Sequence, residues 1–475
     1  MTKVRPVVPF SDFRRLGDAG LCLTDPADIA RYTKPARGAA GEALCVLRPK
    51  TTGQVSAIVA LCGRLGLPLT VQAGNTGLVG DSTPAPGAPA IILSLERMKE
   101  RFVLNPINRS LKVSAGFRLS EMNARLAPHG LFFPIDLSSD PMAGGLVASN
   151  AGGARFLRYG DVRDRVLGLT VVLADERGTV VQIGQGVRKD NSGPDWKQMF
   201  IGAGPFLGIV TECEFDLARL PADRVAALLI PASGASVDVI LDELERTLGP
   251  GLTAFESMSD NAVRHALAHV PNLRTPFRGE LPPGEVLLVE FSRDWHKLPG
   301  DAPAADVLNA QLERLWEDER NLLLDAVPGP PEDFWRLRHS LSEGLRAAGP
   351  VIAFDLAFRR DRVNAFKAQI REDYSRRFPE LELCDFGHVG DGGVHLNFIV
   401  RQTSAEGEQA LRHSLEAWVL DIAVGTYGGT FSAEHGVGRK NLQAYLRFTD
   451  PALRQATRAL KEAVAPVQIG GFRAD

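Results

Sequence analysis

The residues best equipped for chemistry lie towards opposite ends of the chain. They are Gln72-Ala73-Gly74-Asn75-Thr76-Gly77-Leu78-Val79-Gly80 and the stretch His388 to His395, followed later by Glu434-His435. A turn whose glycines let successive main-chain N–H groups face inward makes a concave anion site, and Thr76 and Ser82 add hydroxyl donors to it. Two imidazoles and a carboxylate form a divalent-metal donor set that leaves one coordination position open. A phosphate cradle combined with an open metal site suggests an enzyme that carries a nucleotide cofactor beside a Lewis acid.

His388 and His395 are seven residues apart, which in one straight strand would put them on opposite faces. Asp391-Gly392 lies between them and is a favoured two-residue hairpin turn. The spacing therefore predicts a hairpin folded there, with His388 directly opposite His395, Cβ atoms about 4.5–5.5 Å apart, and Asn397 on the same face. Without a third ligand such a pair reads as two surface histidines. Glu434, within Phe431-Ser432-Ala433-Glu434-His435-Gly436-Val437-Gly438, is the candidate third ligand. His265 and His269, at helical spacing and with no acidic partner placed by the sequence, read as an ordinary helix face.

The elements that must position these residues are legible in places. Ala43 to Leu47, the periodic run Val55, Ile58, Val59, Leu61, Leu65 behind Thr51-Thr52, and Leu67 to Val71 read as strand, capped helix and strand. The phosphate turn thus leaves the end of a strand, where α/β folds place ligands. Further strands are expected at Ala90 to Leu95, Leu111 to Ala115, Val166 to Leu173 and Thr179 to Ile183. A second glycine-rich segment, Gly144 to Gly153, is expected to let backbone approach a cofactor closely, the alternative being tight turn packing. Gly202-Ala203-Gly204-Pro205-Phe206-Leu207-Gly208 has suggestive glycines, but Ile209 to Leu217 alternates like a strand, so the helix that a nicotinamide-binding fingerprint requires is missing.

Composition sets the outer bounds. The 475 residues, 44% of them hydrophobic, suffice for two or three domains, and 54 Lys plus Arg against 57 Asp plus Glu leave no basic surplus for nucleic acid or an anionic membrane. The five cysteines stand singly without a CxxC, which argues against a cysteine zinc site, an iron–sulfur cluster or a disulfide framework. No apolar run is long enough for a membrane helix, so no transmembrane segment is expected and the chain reads as cytoplasmic, with an organelle matrix as the lesser alternative.

Taken together, Gln72 to Ser82, Phe133-Pro134-Ile135-Asp136-Leu137-Ser138, Gly144 to Gly160, Gly387 to Gly392 with His395-Leu396-Asn397, and Ser432 to Gly438 resemble the FAD-linked D-2-hydroxyacid dehydrogenases of the vanillyl-alcohol-oxidase superfamily. The branch most similar is that of the D-2-hydroxyglutarate dehydrogenases, with D-lactate and glycolate dehydrogenases as cousins. The resemblance implies an α+β fold: a two-subdomain FAD domain over residues 1–217, an α+β substrate or cap domain over 218–425, and a C-terminal segment, 426–475, returning to the flavin.

It also implies non-covalent FAD contacts at Gln72, Gly74, Asn75, Thr76, Gly77, Leu78, Gly80, Ser82, Pro134, Asp136, Leu137, Ser138, Gly144, Gly145, Ser149, Asn150, Gly152 and Ile209. A divalent metal, zinc by that likeness, falls on His388, His395 and Glu434, with His435 as the base. Arg338 matches the carboxylate-clamping arginine, with Ser342 four residues on, and Asn397 and Arg359 complete the expected substrate contacts. The reaction implied is oxidation of a D-2-hydroxy acid to the 2-oxo acid, with hydride transfer to the flavin. The expected partners are that acid and an electron acceptor, an electron-transfer flavoprotein or a quinone-linked carrier, and a homodimer is carried as an expectation. An FAD-binding protein without turnover is the contrasting class.

The chain departs from the family pattern at several positions. Ala73 and Asp81 replace glycines, Ala203-Gly204-Pro205-Phe206 replaces Ser-Glu-Gly-Thr, and Ala353 stands where hydroxyglutarate members carry lysine. Phe358-Arg359 replaces Leu-Pro, and Ala465 to Ile469 lacks the usual Asn-Pro-Gly-Lys ending. The departures at Ala73, Asp81 and Ala203 to Phe206 bear on the local geometry around FAD and that at Ala465 to Ile469 on the final contacts of the tail, whereas Ala353 and Phe358-Arg359 point to a different group at the far end of the substrate, with Arg359 the cation expected to read a second carboxylate there.

Overall fold

Thr51 opens the first long helix by accepting the N–H of Gln54 on its hydroxyl, and Gly66 closes it in the left-handed region. In a computed structural model that describes residues 8–277, 279–294, 299–401 and 405–472, this helix, Thr52–Leu65, buries Val55, Ile58, Val59 and Cys62. It connects the strands Ala43–Leu47 and Leu69–Gln72, which both pair in parallel with Ala90–Ser94. Ala43–Leu47 is an apolar run and Ala90–Ser94 nearly so, whereas Leu69–Gln72 carries the buried polar residues Thr70 and Gln72.

The chain divides into two compact units. The first comprises Met1–Gly152, Asp161–Arg219 and Glu434–Asp475, and the second Gly153–Gly160 with Leu220–Ala433. The described residues of the first unit form the short pair Leu131–Phe132 with Ala218–Arg219 and two larger sheets. One is the four-stranded sheet just described, with Cys22–Leu23 on its edge; the other is an antiparallel sheet in the order Phe102–Asn105, Ser110–Ser114, Gly208–Asp216, Val166–Leu173, Val180–Ile183. The strand Gly208–Asp216 lies where a dinucleotide fingerprint would have needed a helix.

The second unit is an antiparallel sheet in the order Leu323–Gly329, Asp223–Pro231, Glu285–Arg293, Leu252–Ser259, Phe386–Gly387, Gly393–Val400, Val351–Ala357, with Leu381–Leu383 also pairing Gly393–Val400. Its strands alternate in the sense expected of a sheet with two covered faces. Phe255, Leu287, Val289, Leu356 and Phe398 join one apolar cluster with residues of helices Val237–Leu248, Ala304–Trp316 and Arg360–Arg377. Ala254, Met258, Leu288 and Phe386 join another with helices Asp260–His269 and Pro331–Ala348.

One buried ion cluster ties a helix to this sheet. Lys367, 3% exposed, meets Glu285, Asp385 at 2.9 Å and Ser257 at 3.1 Å, and Arg371 meets Asp385 at 3.1 Å. Burial alone would push the Asp385 carboxyl up, but Lys367 and Arg371 hold it down at about 2. Its contribution to stability is therefore present above the ordinary carboxylate range and is lost as pH falls towards 2. Replacing Lys367 by Met would leave buried Asp385 and partly buried Glu285 with Arg371 as the one of the two cations that remains. A loss of about 3–5 kcal/mol is expected, and an unchanged midpoint of denaturant unfolding would show that Arg371 suffices alone.

Candidate active site

In the first unit the two glycine-rich segments come together. A side chain at Gly74 would press on Met142 and Pro141, and one at Gly145 would meet Ala73 Cβ at 3.2 Å. Asn75 takes a left-handed backbone, φ +56°, and its side chain receives the Ser82 hydroxyl and donates to Lys34 O. Gln72 is buried, and its amide donates to the carbonyls of Tyr32 and Ser82. These two residues therefore shape the turn through their side chains. The main-chain N–H groups from Gly74 to Leu78 have no acceptor among the described residues, the property an anion cradle needs.

The other expected cofactor positions divide in the same way. Gly144 is the second residue of the short helix Ala143–Ser149, and any Cβ there would stand 2.8 Å from Ala115 Cβ. That glycine is required for packing the helix on the sheet, the alternative weighed for this segment. Ser149 donates to Gly145 O, Asn150 caps the helix with φ +49° and bonds Asp161 and the Arg163 N–H, and Ile209 is buried within its strand. Pro134, Asp136, Leu137 and Ser138 lie in the irregular segment after Phe132. Asp81, where the family pattern has glycine, accepts the Gly471 N–H at 2.6 Å, so this departure anchors the altered C-terminal tail. Arg439 and Lys440 donate to Val79 O at 3.0 and 3.2 Å, bringing the segment that follows Glu434-His435 back to the glycine turn.

In the second unit His388 and His395 meet, although not through the predicted register. Phe386, not His388, pairs with His395. The reversal is wider than a two-residue turn: the N–H groups of Asp391 and Gly393 both bond His388 O, and Gly392, φ +97°, lies so close to Phe358 O that a Cβ there would stand 2.1 Å away. Because the register moves by two residues, His388 stays on the face it was expected to occupy. The imidazoles become diagonal neighbours with ring centroids 5.1 Å apart and Nε2 atoms 3.3 Å apart.

Each histidine turns its other nitrogen to a buried carboxylate. His388 Nδ1 is 2.6 Å from Glu256 Oε1, and His395 Nδ1 is 3.5 Å from Asp355 Oδ1. Glu256 and Asp355 are 1% and 4% exposed. The short contact with Glu256 favours the proton on His388 Nδ1 and leaves the His388 Nε2 lone pair directed at His395. At 3.3 Å the two Nε2 atoms are close enough to share one proton or one cation.

Arg338 borders this pair. The helix Pro331–Ala348 starts with Pro331 at its first turn, and Phe334, Trp335, Leu337, Leu341 and Leu345 form its buried face. Arg338 falls on that face, 7% exposed, with Nε donating to Glu256 Oε2 at 2.7 Å and its guanidinium over the Phe386 ring at 4.8 Å. Its buried Nη2 has no hydrogen-bond partner among the described residues. Burial would raise the Glu256 carboxyl, but His388 and Arg338 together hold it at about 2.

Asn397, buried, donates to His395 O and pairs with Ala353, which puts Ala353 on the same face. Ser342 is half-buried one turn beyond Arg338. Arg359 does not join the cluster: its side chain is 77% exposed and forks onto Asp361 at the start of its own helix, so the expected reading of a second carboxylate finds no support in this geometry. Ala433, the residue before Glu434, donates to Asp355 O at 3.1 Å. Glu256, Asp355 and Phe386 escaped the sequence reading. The available signal was a carboxylate inside an apolar strand, Ala254-Phe255-Glu256-Ser257-Met258 and Ala353-Phe354-Asp355-Leu356, since such a group is rarely buried without a partner.

Comparison with known proteins decides the family. Residues 43–184 match the FAD binding domain family, and residues 221–469 match the C-terminal domain of FAD linked oxidases. The chain belongs to the FAD-linked D-2-hydroxyacid dehydrogenases of the vanillyl-alcohol-oxidase superfamily. It is 32% identical over 459 residues to the mitochondrial D-2-hydroxyglutarate dehydrogenase of Bos taurus, covering 94% of this chain and 79% of that protein. It is 29% identical to a D-2-hydroxyglutarate dehydrogenase of Xanthomonas citri pv. viticola, over 93% of this chain and 91% of the relative. A putative mitochondrial D-lactate dehydrogenase of Schizosaccharomyces pombe is 32% identical, over 87% and 78%. Among solved structures, p-cresol methylhydroxylase with substrate bound superposes with a TM-score of 0.73 at 17% identity, over 96% of this chain and 94% of that one. The 4-ethylphenol oxidase of Gulosibacter chungangensis gives 0.71 at 15% identity, over 97% and 95%. At those identities the likeness speaks for the fold, which is the α+β architecture of this superfamily.

Proposed function

We propose that this family member oxidises a D-2-hydroxy acid to the 2-oxo acid, using FAD and a divalent metal held by His388, His395 and Glu434. The observation that carries the reading is a pair of imidazoles, His388 buried and His395 partly so, each with a carboxylate behind it and presenting Nε2 to the other, beside a buried guanidinium whose Nη2 has no hydrogen-bond partner among the described residues. Glu434 is assigned as third ligand because the preceding residue is pinned to Asp355, the carboxylate behind His395. An N,N,O donor set fits zinc.

In this reading Arg338 takes the substrate carboxylate through its free prong, a geometry that suits a planar fork and not a lysine. Ser342 and Asn397 line the same region. His435 accepts the proton of the 2-hydroxyl. When bound, the metal lowers the pKa of that hydroxyl, and FAD accepts the hydrogen lost from C2 with its two electrons. The N–H groups of Gly74 to Leu78 hold the cofactor's phosphates, with no covalent link to the flavin.

The far end of the substrate is proposed to differ from that of hydroxyglutarate, because Ala353 lies on the site face where the family's lysine would reach and Arg359 is engaged elsewhere. D-lactate and D-malate are the alternatives to compare. Reoxidation is assigned to an electron-transfer flavoprotein or a quinone-linked carrier. Among the described residues no helix is long and apolar enough to cross a membrane. Five free, buried cysteines fit a reducing compartment, cytoplasm or organelle matrix, and the bovine and fission-yeast relatives are named mitochondrial.

The test is a screen of D- and L-lactate, malate and 2-hydroxyglutarate with an artificial electron acceptor. D-Enantiomers are expected to bleach the flavin and reduce the acceptor. Turnover confined to L-enantiomers would remove the assignment.

A further inference from the structure

Glu256 lies in the strand Leu252–Ser259, next to Ser257, which pairs with Gly387; continuing that register puts Glu256 across from His388. Its two oxygens are divided between two neighbours, Oε1 to His388 Nδ1 at 2.6 Å and Oε2 to Arg338 Nε at 2.7 Å. Both neighbours present their other working atom elsewhere: His388 its Nε2, 3.3 Å from that of His395, and Arg338 its buried Nη2, which has no hydrogen-bond partner among the described residues. A carboxylate accepts at both oxygens at once. A glutamine would offer an amide N–H to one of two donors, and an aspartate is one methylene too short to keep both bonds.

We infer that Glu256 is a positioning residue shared by the two halves of the site, fixing the tautomer and orientation of His388 while aiming Arg338 at the substrate carboxylate. The inference rests on the metal and carboxylate roles assigned above to those two side chains. It gives one buried group control over two binding events that are otherwise chemically separate. A group that served only as a packed ion pair would affect stability alone.

The test uses the full chain with FAD bound, as wild type, Glu256→Gln and Glu256→Asp. The histidine tautomers are read in metal-free protein by long-range 1H–15N correlation, zinc affinity by chelator competition, and KM for the substrate at saturating zinc. Wild-type His388 is expected to carry its proton on Nδ1. Glu256→Gln is expected to give mixed tautomers, to weaken zinc about 10–100-fold and to raise KM, with flavin content unchanged. If that variant does not fold, Glu256→Asp keeps a charge at the same depth and is expected to show the same three changes to a smaller extent. A wild-type His388 protonated on Nε2, or variants with unchanged tautomer, zinc affinity and KM despite a lower melting temperature, would overturn the inference. Should the wild type take up no zinc, the metal assignment fails by itself, and the tautomer and KM still decide the role of Glu256.

Discussion

Replacing His388 or His395 by alanine is expected to remove the metal and to cut turnover by roughly 10²–10⁴-fold, the kinetic equivalent of losing several kcal/mol of Lewis-acid stabilisation. Flavin absorbance should remain, because the glycine turn and its partners Gln72, Asn75 and Ser82 form a separate bonding system. Glu434→Ala belongs to the same class as the two histidine variants. His435→Ala does not: it should keep the metal while losing the roughly 10²–10⁴-fold contribution of a positioned base. Elemental analysis and the visible spectrum of each purified variant separate these outcomes. Unchanged metal content in all three ligand variants would remove the site.

The positions that sequence reading located well are those where local chemistry leaves few choices. Thr51 followed by apolar residues at helical spacing can cap and bury a helix in one way, and the strands at Val166–Leu173 and Gly208–Asp216 follow from runs of alternating or continuous apolar residues. The hairpin register did not follow, because Asp391-Gly392 is a good two-residue turn only if nothing else holds the loop. Here Phe358 O lies against Gly392, the Phe358 N–H bonds Gly392 O, and Gly390 N–H bonds Phe255 O, so tertiary contacts set the reversal. The histidine pair survived the error because a shift of two residues preserves the face.

What remained hidden was long-range pairing. Glu256 and His388 are 132 residues apart, and Arg338 is 82 residues from Glu256. No periodicity links them. Arg359 shows the converse: a cation two residues before Asp361 at a helix start is more readily satisfied locally than aimed into a site, and only the structure shows which partner it takes.

Arg338 gives the second large effect. Arg338→Ala removes the prong assigned to the substrate carboxylate and also leaves Glu256 with His388 as its one remaining partner of the two described here. Loss of a charged, buried hydrogen bond together with an orphaned carboxylate is expected to lower kcat/KM by about 3–5 kcal/mol, roughly 150- to 5,000-fold. Arg338→Lys separates the two contributions. An ammonium can still pair with Glu256, so zinc affinity should stay near wild type, but it cannot fork, so KM should remain high. The loss must be common to all D-2-hydroxy acids, because it concerns the carboxylate that they share and not the end that distinguishes them. A defect that varied strongly between D-lactate and D-malate would move Arg338 to the distal end of the substrate. An unchanged kcat/KM in Arg338→Lys would show that its Nη2 takes no part in binding, leaving charge alone as the contribution of this position.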